Sequence, residues 1–138
     1  MRAFQIDLNE APDLFPVLAA LAAFAKKPST LKGIGRLIHK ESNRALAIQS
    51  AWEKLGIPVC LDVESDTMTI HPWAKEDHAR TVRLDPQGDH RMVMAMSILG
   101  LAGKGFIEIT HAECVAKSYP EFFDDLETLG VNLSIISQ

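Results

Sequence analysis

Apolar positions along this chain fall into two kinds of run, and the two kinds recur in the same order. Residues 17–25 and 92–102 are apolar or small at every position. A helix that is apolar on all sides is buried on all sides, so both runs are predicted to be core helices. Their Ala and Gly content lets neighbours approach closely. The second kind shows one apolar stripe at helical spacing: Ala45, Ile48, Trp52 and Leu55, then Phe122, Phe123, Leu126 and Leu129. Gln49, Glu53 and Lys54, and later Asp124, Asp125, Glu127 and Thr128, fill the opposite faces, which predicts two surface helices. Strands are predicted at 29–34 and 105–110, between the helices of each pair, and at 80–84. A hairpin is predicted from 59–64 and 67–70 about Ser65-Asp66. Residues 71–78 read as a polar connector.

Residues 13–56 can be laid over residues 89–130 part by part: an Asp, a buried helix, a strand, a polar loop with lysine, a striped helix and a Leu-Gly pair. A strand is expected after each glycine, and Gly56 and Gly130 sit where helix C-caps favour φ > 0. Ser118-Tyr119-Pro120-Glu121 reads as a capping box with Pro in the first turn. The fold class is therefore α/β (α+β), one partial domain over 1–138 with internal repeats at about 7–72 and 79–137. Helices pack inside a sheet-covered layer. Within the chain the two buried helices have no third apolar partner, so an exposed apolar face and self-association are expected.

Composition narrows the function classes. At 138 residues, 47% hydrophobic and 23% charged, the chain has the make-up of an ordinary globular domain. Its net charge of −4 argues against a nucleic-acid partner while allowing a local cationic pocket. Two cysteines, Cys60 and Cys114, are too few for a disulfide scaffold and suit a reducing compartment. His111 and Cys114 form a lone H-x-x-C pair with no second ligand pair, so a structural cysteine is expected there and no metal site. The longest apolar runs fall short of the ~20 residues that span a bilayer. No membrane partner and a cytoplasmic location are expected.

Three polar motifs interrupt the apolar pattern: Lys40-Glu41-Ser42-Asn43-Arg44, Asp89-His90-Arg91-Met92, and Cys114-Val115-Ala116-Lys117-Ser118-Tyr119-Pro120. Each puts a fixed cation where a strand or loop gives way to a helix. Helix starts with nearby Arg and Lys are natural anion sites, so a substrate with several anionic groups is indicated. Taken singly, each motif has a plainer reading. Asp13 would cap a helix, Lys40-Glu41 would form a solvated first turn, and Asp89-His90-Arg91 could be a salt-bridged cap. Lys117 would be a surface lysine. His90 could titrate near neutrality or merely hold its neighbours. His39, His71, His78 and His111 read as surface or structural, and Met92, Met94 and Met96 as packing.

Taken together and in order, with Pro12-Asp13 ahead of them, the motifs resemble the C-terminal part of the 5-enolpyruvylshikimate-3-phosphate synthase family. The similarity runs from about Asp7 to Val131. The resemblance implies an inside-out α/β barrel domain of the enolpyruvyl transferase fold, assembled from βαβαββ repeats. The chain would hold the last two repeats, with the N-terminal portion of the enzyme as its missing partner. It implies transfer of the carboxyvinyl group of phosphoenolpyruvate to the 5-hydroxyl of shikimate 3-phosphate, in aromatic amino acid biosynthesis, with no metal or cofactor.

By the same resemblance Asp13, Glu41 and Lys117 are the catalytic residues. Lys40 and Asp13 would face shikimate 3-phosphate, while Arg44, Arg91 and Lys117 would face phosphoenolpyruvate. Asp89 and His90 are secondary. The isolated chain is expected to lack turnover. Two departures from the family pattern are Asn43, where an acid is usual, and Arg36, where a smaller polar contact is usual. The alternatives are a related transferase acting on a nucleotide sugar and a non-catalytic repeat module. The shared fold also serves RNA-end cyclisation, which the acidic balance disfavours.

Overall fold

The computed structural model describes residues 1–40, 42–74, 81–102, 106–134 and 136. The elements are β1 (Gln5–Asp7), α1 (Phe15–Ala22), β2 (Ser29–Lys32), α2 (Arg44–Lys54), β3 (Val59–Asp62) and β4 (Thr67–Ile70). They continue as β5 (Thr81–Leu84), α3 (His90–Ala102), β6 (Phe106–Ile109) and α4 (Phe122–Thr128). Helices and strands are mixed throughout, an α/β arrangement.

Burial follows composition. In α1, Phe15, Pro16, Ala19, Ala20 and Ala22 are buried, and the helix packs along α3, which buries Met92, Val93, Ala95, Met96 and Leu99. Small residues on α1 let the two axes close up, so dispersion contacts are dense. The striped α2 turns Ala45, Ile48, Ala51 and Trp52 inward and leaves Leu46, Ser50, Glu53 and Lys54 exposed. The Trp52 indole N–H, fully buried, donates to the Ala19 carbonyl at 3.0 Å and so ties α2 to α1. Among the described residues no helix is long and apolar enough to cross a membrane.

One sheet runs β1-β2-β4-β3. β1 and β2 are parallel, with Gln5 opposite Thr30, as the α1 crossover requires. β3 and β4 form the expected antiparallel hairpin, with Val59 opposite Ile70, and β4 pairs antiparallel with β2. The hairpin turn is wider than Ser65-Asp66: the Asp62 carboxylate takes the N–H groups of Glu64 and Ser65, and Asp66 lies at φ 60°. A second sheet holds β5 parallel to β6, with Thr81 opposite Phe106, joined by α3. Each parallel pair is thus a β-helix-β unit.

Four local expectations are corrected. The strand predicted at 29–34 stops at Lys32, because the Gly33 N–H turns to the Asp66 carbonyl at 2.8 Å and a 3₁₀ turn starts at Ile34. The connector after Ile70 is not simply polar: Trp73 is buried, its backbone N–H donating to Ala23 and its indole to Leu55, with its ring against Phe24. No strand follows Gly130 among the described residues, where no counterpart of β4 is present to pair with it. Ser118 does not cap α4, because its hydroxyl is engaged by His90 and Glu121 takes the N-cap position without a side-chain bond. Gly56 and Gly130 do end their helices, at φ 89° and 95°. Residues 75–80, 103–105, 135, 137 and 138 lie outside the described residues, and with them parts of the predicted connector and strands.

Candidate functional site

Four loops leave the C-terminal ends of the four parallel strands, and they carry nearly every candidate residue. The loop after β1 holds Asp13, the one after β2 holds Lys40 and leads into Arg44 at the start of α2, the one after β5 holds Asp89 and leads into His90 and Arg91 at the start of α3, and the one after β6 holds Lys117. Ligand sites in open parallel sheets lie outside such carboxyl ends. Here the starts of α1, α2 and α3 converge as well, through contacts among Asp13, Arg44 and Asp89.

Arg44, the first residue of α2, is the hub. It is 1% exposed, and its Nε donates to Asp89 Oδ2 at 2.7 Å while Nη2 donates to Oδ1 at 3.2 Å. Nη1 reaches Asp13 Oδ1 at 3.0 Å. Asp89 is fully buried and also accepts from the Ser42 hydroxyl at 3.0 Å and from the Arg91 backbone N–H at 3.0 Å, which caps α3. Burial pushes the Asp89 carboxyl up, but the hydrogen bond and charge of Arg44, with the bonds from Ser42 and the Arg91 backbone, outweigh it and leave the group below its ordinary value. A buried ionised acid requires such a set of donors.

Asp13 sits in the 3₁₀ turn Pro12–Leu14 and does not cap α1. Its side chain is 52% exposed and faces three cations: Arg44 at 3.0 Å, Arg91 Nη2 at 3.6 Å and Lys40 Nζ at 3.8 Å. Partial burial raises its carboxyl, yet the bond from Arg44 and the charges of Arg91, Lys40 and Arg44 win and lower it. Lys40 and Arg91 retain solvent access, at 28% and 34%. Of the three cations around Asp13, these two are able to meet a diffusing anion.

Lys117 ends the 3₁₀ segment Ala112–Lys117 and donates to the Gly88 carbonyl at 3.0 Å, which brings the loop after β6 against the Asp89 turn. His90 Nδ1 and Ser118 Oγ are 2.5 Å apart and make a second tie between the same loops. Glu41 lies outside the described residues. Asn43 does not serve as a substitute acid for Arg44: its Oδ1 accepts the Leu46 N–H and caps α2, and Asp89 orients Arg44. Arg36 reaches the Asn9 carbonyl at 2.7 Å. Cys114 is partly buried, which pushes its thiol up against the pull of Lys117, while Cys60 is exposed. Among the described residues no three His, Cys, Asp or Glu converge to hold a metal.

Sequence reasoning ranked Asp89 as secondary and gave Ser42 no role. A signal was available: Asp89 directly precedes an all-apolar helix, a buried ionised acid there needs a cation, and Arg44 heads α2.

Solved structures of similar fold include EPSP synthases. The chain superposes on that of Acinetobacter baumannii with a TM-score of 0.82, at 23% identity, over 99% of this chain and 31% of the other. A second structure of the enzyme from the same organism gives 0.79 at 26% identity, over 93% and 30%. The enolpyruvyl transferase NikO of Streptomyces tendae gives 0.68 at 20% identity, over 95% and 28%. The fold is that of the enolpyruvyl transferases. The family model of EPSP synthase (3-phosphoshikimate 1-carboxyvinyltransferase) matches residues 1–126, and the chain belongs to that family. Relatives named 3-phosphoshikimate 1-carboxyvinyltransferase include that of Syntrophobacter fumaroxidans, 42% identical over 94% of this chain, and that of Methanosphaerula palustris, 37% identical over 95%. The chain spans about 29% of the length of each.

Proposed function

We propose that the chain supplies one wall of an active site that moves the 1-carboxyvinyl group of phosphoenolpyruvate onto the 5-hydroxyl of shikimate 3-phosphate. The observation that carries this reading is the gathering of Lys40, Arg91 and Arg44 about Asp13 at the carboxyl ends of the parallel strands. The site takes a polyanion and has a carboxylate at its centre.

The chemistry needs a C–O bond from the hydroxyl oxygen to C2 of phosphoenolpyruvate and cleavage of the C2–O bond to phosphate. The hydroxyl gives up its proton, and the methylene carbon gains one and later loses one. Asp13 is held ionised by its cations and so can accept the hydroxyl proton. Arg91 and Lys40 offer charge to the carboxylate and phosphate groups, and Lys117, bonded to the Gly88 carbonyl, adds a cation at the turn before Asp89. Glu41 is assigned the methylene proton from the family motif alone. Arg44 acts through its neighbours: its fork holds Asp89, and its remaining edge aims Asp13. It is a positioning residue, not the carboxylate grip implied by the resemblance.

The remaining length of the relatives is the proposed partner, and the chain by itself is expected to show no turnover, because effective molarity depends on enclosure of both substrates. The test is phosphate release from phosphoenolpyruvate and shikimate 3-phosphate, with the chain mixed with a polypeptide covering the rest of the Syntrophobacter fumaroxidans relative. Release that needs both pieces, and that disappears with Arg91→Ala, is expected. Equal release by the chain alone would overturn the one-wall reading, and no release from a mixture shown to associate would overturn the assigned reaction.

A further inference from the structure

The convergence of three helix starts and three cations would make a strong anion site, except that two carboxylates already occupy much of that positive potential. Asp89 is buried within it and cannot leave without abandoning Arg44. Asp13 differs. It is half exposed, its contacts to Lys40 and Arg91 are ion pairs at 3.8 and 3.6 Å, not close hydrogen bonds, and its one short bond goes to Arg44. We propose that Asp13 sets the anion affinity of the site by competing with the bound anion for Lys40 and Arg91.

This inference rests on the anion-binding reading above and adds a specific trade. The carboxylate that serves as proton acceptor also weakens the hold on substrate. Two like charges cannot share Lys40 and Arg91 at full strength, so an arriving phosphate or carboxylate either draws these cations off Asp13 or binds beside its negative charge. Among the described residues, the charged groups around Asp13 come from several elements. Arg44 comes from α2, Arg91 and Asp89 from the start of α3, Lys40 from the loop after β2, and Lys117 and His90 stand further along the Asp89 turn. The cations also keep Asp13 ionised, so the competition operates at neutral pH. Arg44 does not depend on Asp13 for its place, since its Nε and Nη2 remain on Asp89.

The experiment is titration of the full chain with inorganic phosphate, followed by NMR. The wild type is compared with Asp13→Asn, with the charge-conserving Asp13→Glu, and with Glu53→Gln, which removes one charge near the far end of α2. Asp13→Asn is expected to bind phosphate about fivefold tighter at low salt, as suits one unit charge removed a few ångströms away in a solvated site. Asp13→Glu and Glu53→Gln are expected to stay near wild type, and the gain should shrink as salt is raised. Placing Lys40→Ala and Arg91→Ala in the Asp13→Asn background should remove it.

Should Asp13→Asn fail to fold, Asp13→Ser carries the same expectation. A neutral variant that binds phosphate no better than wild type, or an equal gain from Glu53→Gln, would overturn the proposal. Parallel titrations with phosphoenolpyruvate separate the two readings. If the wild type binds phosphoenolpyruvate and Asp13→Asn gains nothing, only the competition fails. If no form binds either anion, the anion-site reading fails with it.

Discussion

The guanidinium of Arg44 and the carboxylate of Asp89 meet edge to edge, at 2.7 and 3.2 Å, with almost no solvent access to either. Arg44 opens α2 and Asp89 precedes α3, so the pair ties the loop after β2 to the loop after β5. It also fixes the cation that aims Asp13. Removing one partner of a buried pair leaves an uncompensated charge, which costs about 3–5 kcal/mol. Asp89→Ala is expected to lower the unfolding free energy by that order in a urea titration, and by more than Asp13→Ala does. Equal, small losses from both would show that the buried pair is not the anchor.

Acid should weaken the same anchor. The folded-state carboxyl of Asp89 lies below its ordinary value, as does that of Asp13. A depressed acid contributes stability that is present above its unfolded pKa and is lost as pH falls through its folded pKa. Stability from these groups should therefore hold from neutrality down to about pH 4 and decline below it. Asp89→Asn should start lower and show a shallower acid slope. An acid slope unchanged in the variant would contradict the assignment.

The turn that presents Asp89 is strained. Gln87 and Gly88 lie at φ 56° and 73°, and the Asp89 N–H closes the turn onto Pro86 at 3.0 Å. A left-handed non-glycine residue costs about 1 kcal/mol. Gln87→Gly keeps the backbone bond to Asp85 and should raise the melting temperature by a degree or more. Gly88→Ala should lower it. A fall with Gln87→Gly would mean that the glutamine side chain contributes more than its backbone costs.

Much of this architecture was legible in the sequence. The two all-apolar runs announced α1 and α3 because total burial leaves no polar face, and Leu-Gly pairs marked the ends of α2 and α4. The hairpin followed from alternation. Two of the misses have a common physical source, which is side chains satisfied by partners distant in sequence. Ser118 matches a capping box locally but is taken by His90, 28 positions away. Trp73 sat in a segment read as polar yet fills the gap between the ends of α1 and α2. The family resemblance singled out Asp13, Lys40, Arg91 and Lys117, but could not show that Arg44 would be buried on Asp89.

The surface of α4 invites association. None of its residues is fully buried, its Phe122 and Phe123 rings stack edge to face, and nearby Leu129 is 80% exposed. Exposed apolar faces of this kind promote contacts between molecules. Sedimentation velocity should show self-association that rises with concentration and falls in Phe122→Glu. A monomer at every concentration would contradict this.

We propose that the four loops at the carboxyl ends of the parallel strands form one anion-binding wall. NMR titration of the chain with phosphoenolpyruvate in the presence of shikimate 3-phosphate tests it most directly. The account predicts weak, saturable shifts at the amides of Asp13, Lys40, Arg44, Arg91 and Lys117 together, with Lys26 and Lys27, beyond the other end of α1, unmoved. Shifts at Lys26 and Lys27 equal to those at Arg91, or no shifts at saturating substrate, would contradict it.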